Sequence, residues 1–201
     1  ASLARLEKET LISRNGENYF FLTNEERDIT KEIKAIELPS GEESKLLGEI
    51  LFEDVLKGQR KHRYSANKMD FEFNRRCDNV AIGNQRDGAL LVLVVTPLAD
   101  DYDAYDKAKC ILDSTLEDGI ILARLANDES LGRELRTCLQ TTKYLAHKND
   151  GTLVDATKRI LRDCADDNRQ RRDRLKTLLG DMLAAAEYFV AGQPQKIKSS
   201  S

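Results

Sequence analysis

Hydrophobic positions near the start of the chain predict a short helix, a tight hairpin and a second helix. Spaced leucines give the first helix, which leads into a strand. Asn15-Gly16 is a hairpin signal of the type I′ kind because both residue types tolerate positive φ, and the letters YFFL supply the returning strand. The order Thr23-Asn24-Glu25-Glu26 has the pattern of a capping box. The helix that follows is expected to end at Pro39.

The middle of the chain has the pattern of alternating strands and helices. A second capping pattern at Ser40 begins an amphipathic helix that stops near Gly58, and Phe71 and Phe73 then alternate with polar residues as in a strand. The run ALLVLVVTP is apolar on both faces, which is typical of a central strand covered on both sides. A helical segment around Tyr102–Leu112 separates it from GIILARL, so these segments predict a parallel βαβ unit.

The last third of the chain has helical periodicity. Asn127 and Asp128 are suited to cap one helix, and a longer helix is expected over residues 151–192. A heptad-like stripe supports the longer helix: Val154, Leu161, Asn168, Leu175, Met182, Phe189. The centre of this helix is polar on the stripe as well, so we expect it to be exposed midway and anchored at both ends. Residues 193–201 are expected to form a disordered tail.

These patterns predict a mixed α/β protein with a small β-sheet, a βαβ unit and flanking helices. The expected segments are a winged-helix-like closing half with a connecting helix at 1–38, an α/β domain at 39–150 and the long helix at 151–192. The helix and wing of a winged-helix domain can contact DNA. In the hairpin that would form the wing, the positive charge of Arg14 is offset by the negative charge of Glu17. This favours packing of the wing against protein.

Composition narrows the class of protein. The 201 residues are 40% hydrophobic and 33% charged, with a net charge of −3, so the chain as a whole does not attract nucleic acid. Four cysteines stand far apart without a CxxC spacing, as in a cytoplasmic protein with reduced thiols. The longest apolar run is too short to span a bilayer, so no membrane partner is expected. The missing initial Met suggests a piece of a longer protein.

No sequence motif predicts a catalytic or cofactor-binding residue. The chain contains neither GxxxxGK[ST] nor a GxGxxG after a strand, so we expect no nucleotide site of its own. His62 and His147 are isolated. The candidates for a metal site are the carboxylates Asp100, Asp101 and Asp103, in a cluster that reaches Asp106. Capping of a helix start accounts for the same residues. One alternative is therefore a stand-alone Mg-dependent α/β enzyme that uses the Asp100–Asp106 cluster.

A basic segment is the candidate for contact with nucleic acid. The stretch Lys57–Met69 contains no acidic residue. Its cations could contact phosphates without reading sequence, or form a solvated surface: Lys57, Arg60, Lys61, Arg63, Lys68. A second stretch, RQRRDRLK, is interleaved with aspartates and is interpreted as an ionic helix surface.

Several segments, taken in order, resemble a known family. They are LISRNGENYFFLTNEERDITKEI, NKMDFEFNRRCD, IILARLANDESLGRELRTCLQTTKYL and RQRRDRLKTLLGDMLAAAEYFVAGQ. They resemble the middle of the large P-loop ATPases of bacteriophage exclusion (BREX) systems, the BrxC/PglY family. The resemblance implies a phage-defence protein whose ATPase module, with its ATP and Mg²⁺, lies outside this chain. It implies other BREX components or self-association as partners, with DNA as a further candidate.

Overall fold

The computed structural model describes residues 2–116, 119–148 and 153–196, and the chain divides into two compact units. The first, called the helical unit, consists of Ala1–Pro39 and Arg133–Arg174. The second, called the sheet unit, consists of Ser40–Gly132 and Leu175–Ser201. Each unit is therefore built from two separate stretches of sequence.

Helices and strands follow one another along the whole described chain. In order they are α1 (Leu3–Lys8), β1 (Ile12–Asn15), β2 (Asn18–Phe21), α2 (Asn24–Lys34), α3 (Glu42–Glu49), a π-helix (Ile50–Val55), β3 (Lys61–Arg63), β4 (Asp70–Cys77), β5 (Val80–Ala81), β6 (Leu90–Val95), a 3₁₀ turn (Tyr102–Ala104), α4 (Lys107–Leu116), β7 (Ile120–Arg124), α5 (Leu131–His147), α6 (Asp155–Ala184), β8 (Glu187–Val190) and β9 (Gln193–Gln195). The mixed α/β class predicted from the sequence is confirmed.

The helical unit has a small apolar core between α2, α5 and α6. Ile29, Ile33 and Tyr144 are buried there, with partly buried residues of α6 packed against them. The capping box predicted at the start of α2 is confirmed, because the Thr23 hydroxyl accepts from the Glu26 N–H while the Glu26 carboxylate accepts from the Thr23 N–H.

The helix α2 ends at Lys34, earlier than the predicted stop at Pro39. The reason lies in its terminal carbonyls. The Gln140 amide donates to the carbonyls of Lys34 and Ile36 at 3.2 and 2.9 Å, which replaces hydrogen bonds that another helical turn would have made.

The hairpin turn differs from the predicted type. Asn15 pairs with Asn18, so the two turn residues are Gly16 and Glu17. Gly16 has φ +63°, whereas neither Asn15 nor Glu17 has positive φ. A type I′ turn needs positive φ at both central residues, so the observed pattern is that of type II′, with glycine at the first central position.

The sheet unit is built on a sheet with the strand order β3-β4-β6-β7-β8-β9, and β5 pairs with β4. The strands β4, β6 and β7 are parallel, and β7 pairs antiparallel with β8. The predicted βαβ unit is thus confirmed as β6, α4 and β7. On one face, Leu93, Leu122 and Phe189 are neighbours in register and pack with Cys110 of α4.

The opposite face of the sheet is closely covered by α3. A β-carbon added at Gly48 would lie 2.5 Å from Ile82 and 2.9 Å from the Cys77 β-carbon. The cap of α3 differs from the prediction, because Gly41 occupies it with φ +83° and no side-chain hydrogen bond is made. The helical stretch then passes into the π-helix and stops near Gly58, as predicted.

Two expectations for the last helix are wrong. It ends at Ala184 rather than 192, and Phe189 lies in the sheet core because β8 and β9 follow. Part of the expected disordered tail is therefore strand β9, and residues 197–201 lie outside the described residues. The centre of the helix is not exposed throughout, since Asn168 and Arg171 are both 8% exposed. The Asn168 amide donates to the Cys138 carbonyl and the Thr142 hydroxyl of α5, and the Arg171 guanidinium forms an ion pair with Glu134 of α5.

Candidate interaction surfaces

The basic segment lies at one edge of the sheet unit. Lys57 and Lys68 are in turns with positive φ, and Lys61, His62 and Arg63 form the edge strand β3. Every residue of 61–70 is exposed, including Tyr64. A charged edge strand also discourages pairing with other strands.

The fold brings acidic residues to this segment, which contains none in its sequence. The Glu53 carboxylate accepts from Arg60 at 3.4 Å and from the buried Arg75 at 2.6 Å. In the β3–β4 register, Lys61 lies opposite Glu72 and Arg63 lies opposite Asp70. The Glu72 carboxylate also pairs with Arg86 at 2.5 Å. The positive potential of the segment is therefore lower than its sequence indicates.

Glu53 is bound by two arginines, Arg60 and Arg75. The hydrogen bond from Arg75 lowers the pKa of the Glu53 carboxyl, and burial opposes this effect. A β-carbon at Gly58 would lie 2.8 Å from Glu53 Oε2, so the turn must pass close to the carboxylate. Glu53 thus ties Arg60 to the framework of the sheet unit.

The acidic cluster lies in the loop that follows β6. Asp100, Asp101 and Asp103 are exposed, and the Asp106 carboxylate accepts from the Lys109 N–H at 2.8 Å, which caps α4. Within residues 2–116, 119–148 and 153–196, no three His, Cys, Asp or Glu side chains are placed to share a metal ion. His62 and His147 are both exposed.

A buried carboxylate lies beside this loop. Asp78 has φ +51° and accepts from the Thr96 N–H, the Thr96 hydroxyl and the Ser44 hydroxyl at 2.7, 2.9 and 3.2 Å. Burial raises the pKa of the Asp78 carboxyl, and the Thr96 bonds counteract this effect. Asp78 therefore joins the end of β4 to the end of β6 and to α3.

The turn after β6 does not fit the phosphates of ATP. Its residues 96–106 include Pro97 and four aspartates but no glycine. A phosphate-binding turn needs glycines that expose backbone N–H groups, and the aspartates would repel the phosphates.

An aromatic surface on β2 was not anticipated by sequence reasoning. Tyr19, Phe20 and Phe21 are 38%, 53% and 85% exposed. The sequence YFF could have predicted this exposure. Successive side chains of a strand point to opposite faces, and a two-stranded hairpin cannot bury both of its faces. We call these three residues the β2 aromatic surface.

The hairpin is held to α6 by its turn. The Asn15 amide donates to Asp167 Oδ1 at 2.7 Å, and Arg174 donates to Asn15 Oδ1 at 2.7 Å. Arg14 lies over the Tyr19 ring at 5.6 Å. The turn is therefore fixed while β2 itself contains no buried residue.

A cleft of about 380 Å³ lies within the helical unit, between α1, β1, α2, α5 and α6. Its charged groups are largely met by protein. Arg171 Nε lies 3.3 Å from Glu134 Oε2, and the Lys34 ammonium donates to the Glu7 carbonyl at 3.4 Å. The residues that line the cleft include five cations and three carboxylates: Lys8, Arg14, Lys34, Arg133, Arg171, Glu7, Glu134 and Asp167.

The four cysteines are free thiols. Cys77, Cys110 and Cys138 are buried, and burial raises the pKa of Cys110 and Cys164 to about 11. A thiol with a raised pKa is a poor nucleophile at neutral pH.

Comparison with known proteins identifies the family. Within the described residues, no helix is both long and apolar enough for a transmembrane span. No solved structure matches the chain significantly. A family model does match, over residues 36–201, and it is described as the BREX ATP-binding protein BrxC 4th domain with six-stranded beta sheet. The path β3-β4-β6-β7-β8-β9 has six strands, in agreement with that description. The chain therefore belongs to the BREX BrxC family, and its residues 36–201 are the fourth domain of that family.

Proposed function

We propose that this chain is a noncatalytic assembly module of a phage-defence BrxC protein. The observation that carries the proposal is the β2 aromatic surface, with Phe21 85% exposed. Aromatic side chains are enriched in protein interfaces, and β2 exposes a phenylalanine on each face of the hairpin. The module would join other parts of BrxC or other BREX components in the cytoplasm.

ATP binding and Mg²⁺ belong to another part of BrxC in this proposal. The support is the glycine-free, acidic turn at 96–106, which lacks the chemistry for holding phosphates. Asp106 of that turn caps α4, and Asp100, Asp101 and Asp103 are exposed.

In finer detail, we propose that α1, the hairpin and α2 are the closing half of a winged-helix unit. The support is their order and the short turn at Gly16 and Glu17. Glu17 lies 3.6 Å from Arg14 and reduces the charge at the tip, so this wing is better suited to protein than to DNA.

A second candidate function is contact with DNA through the basic segment. The exposed cations Lys57, Lys61, Arg63 and Lys68 favour it, with Tyr64 available for stacking. Glu53, Asp70 and Glu72 weigh against tight binding. Such contact would be weak and independent of sequence.

The assembly proposal is tested in the full-length protein. The double variant Phe20→Ser, Phe21→Ser should reduce co-elution of BrxC with the other BREX components at least tenfold. Leu112→Ser is the matched control because Leu112 is 52% exposed on α4. Equal co-elution of the parent, the double variant and the control would contradict the proposal. Circular dichroism of all three checks the fold.

A further inference from the structure

One carboxylate is shared by three arginines beside the cleft of the helical unit. Glu134 of α5 lies 3.3 Å from Arg171, which is on α6. The same carboxylate lies 3.6 Å from Arg133 and 3.9 Å from Arg174. Charge-assisted hydrogen bonds of this kind are about 2.7–2.9 Å long, so Glu134 does not use up the N–H groups of these arginines.

Arg171 is the buried member of this group. Its side chain is 9% exposed, and within the described residues its Nε–H has no hydrogen-bond acceptor. Its Nη1 donates to the Asn168 side chain at 3.3 Å, which holds the guanidinium in place. A buried donor without an acceptor is unfavourable, and an oxyanion in the cleft would accept from it.

The wall of the cleft is cationic beyond Arg171. Five cations and three carboxylates line it, which leaves two positive charges in excess. Lys8 of α1 and Arg133 of α5 are both exposed, so the cleft has accessible cations as well as a buried one. This distribution of charge favours a ligand that carries more than one negative group.

Another part of the wall is apolar. Ile12 and Ile33 are buried and line the cleft, and Ala4 of α1 lies in the same wall. Burial also raises the pKa of the Asp167 carboxyl, which shows that this side of the cleft is partly shielded from water. Ionic contacts are stronger in such a place than on an open surface.

We propose that this cleft binds a short acidic peptide segment of a partner protein. Two carboxylates of the segment would contact Lys8, Arg133 and Arg171, and an apolar side chain would lie against Ile12 and Ile33. The inference deepens the proposed assembly function and rests on it. Recognition of acidic segments by arginine clusters is a recurring mode of peptide binding.

The size of the cleft limits the length of the segment. Its volume of about 380 Å³ is near the lower end of the range of about 300–1,000 Å³ that is typical of ligand pockets. A few residues of extended peptide fit such a volume, whereas a DNA duplex presents its phosphates on a surface too broad to enter it.

Carboxylates fit this site better than phosphates. Glu7, Glu134 and Asp167 line the same cleft. They repel a doubly charged phosphoryl group more strongly than a singly charged carboxylate. Two carboxylates also match the two positive charges that the wall has in excess. The expected partner segment is therefore rich in aspartate or glutamate and contains an apolar residue.

Fluorescence anisotropy with two labelled hexapeptides tests the proposal on full-length BrxC. One peptide alternates glutamate and leucine, and the other has glutamine in place of each glutamate. We expect the glutamate peptide to bind at least tenfold more tightly, with an affinity that falls as salt is added. Absence of binding by the glutamate peptide, or equal binding of the two peptides, would overturn the proposal.

A double variant of exposed residues locates the binding site. Lys8→Gln, Arg133→Gln should weaken binding of the glutamate peptide at least tenfold. The matched control Lys31→Gln, Arg169→Gln removes two exposed cations of the same unit that do not line the cleft. Both variants lose two charges, so a loss of affinity in the first alone assigns the contact to the cleft. Equal affinities of the parent and the cleft variant would overturn the proposal.

Arg171→Lys tests the buried donor by itself. Lysine keeps the positive charge but lacks the Nε–H and the planar fork of arginine. We expect at least a threefold loss of affinity for the glutamate peptide. Unchanged affinity in a folded Arg171→Lys protein would overturn the contact with Arg171, and the double variant decides if this protein does not fold.

Competitors distinguish other ligands. Glutarate that displaces the peptide at an equal concentration of carboxylate would indicate a site for a small dicarboxylate and overturn the proposal. Displacement by a DNA duplex would indicate a phosphate site and overturn it as well. If the glutamate peptide does not bind but Phe20→Ser, Phe21→Ser still reduces co-elution, the cleft inference fails and the assembly function stands.

Discussion

Arg174 of α6 donates a hydrogen bond of 2.7 Å to the side-chain oxygen of Asn15, at the turn of a hairpin 159 residues earlier in the chain. Asn15 in turn donates to Asp167, so one amide is held from two directions. The hairpin is thereby fixed through its turn, and the strand β2 is left with its aromatic side chains exposed.

Asn15→Ala should lower the free energy of unfolding by about 1–2 kcal/mol, because it removes two side-chain hydrogen bonds between the hairpin turn and α6. Urea denaturation measures the change. Asn127→Ala, at an exposed position, is the control. A loss of the same size in the control would show that Asn15 has no special role.

Gly16→Ala and Gly180→Ala should change stability in opposite directions. Gly16 has φ +63°, where a β-carbon costs about 1 kcal/mol. Gly180 lies inside α6, and an added β-carbon would be 3.9 Å from Val55, so alanine should stabilise that helix by up to about 1 kcal/mol. Thermal melting of both variants measures the direction of each change in stability. A lower melting temperature for Gly180→Ala would contradict the prediction that alanine stabilises α6 at that position.

Glu53 should contribute stability that depends on pH. Its pKa is lowered in the folded state by the hydrogen bond from Arg75, so its contribution is present above the ordinary carboxyl pKa and is lost as the pH falls through the lowered value. Glu53→Gln should flatten the acid side of the profile of unfolding free energy against pH. The same comparison with Asp70→Asn, an exposed acid of the β4 strand, serves as reference. An unchanged acid limb in Glu53→Gln would contradict the linkage.

DNA affinity, if the basic segment provides it, should fall with salt along a log–log slope no steeper than about −4. This limit corresponds to phosphate contacts by the four exposed cations of the segment. Arg60 is not counted, because it is paired with Glu53. The triple variant Arg60→Ala, Lys61→Ala, Arg63→Ala should lose most binding in fluorescence anisotropy. Arg169→Ala, an exposed cation of α6 paired with Asp166, is the control. Undiminished binding by the triple variant at matched salt would place the contact elsewhere.

The isolated chain should neither bind nor hydrolyse ATP, because the turn at 96–106 offers acids instead of backbone N–H donors. Calorimetric titration with Mg-ATP and a phosphate-release assay measure both properties. Saturable binding by the pure chain would overturn this expectation.

Sequence by itself determined the features that depend on neighbouring residues. The Thr23 capping box involves positions three apart, and its side-chain chemistry requires no distant partner. The βαβ unit follows from two apolar runs with a helix between them, since such a connection makes the strands parallel. The family resemblance was likewise contained in the order of segments and agrees with the match over 36–201.

The tertiary structure decided what depends on residues far apart in the chain. Glu53, Asp70 and Glu72 meet a segment that has no acid in its sequence, because strand pairing and the π-helix bring them there. Asn168 is buried in a polar stretch because the Cys138 carbonyl and the Thr142 hydroxyl accept its amide. Phe189 occupied a heptad position in sequence but a sheet position in space, since β7 supplied a strand edge for it. Local periodicity reports which faces are apolar, whereas only tertiary packing selects the partner that covers them.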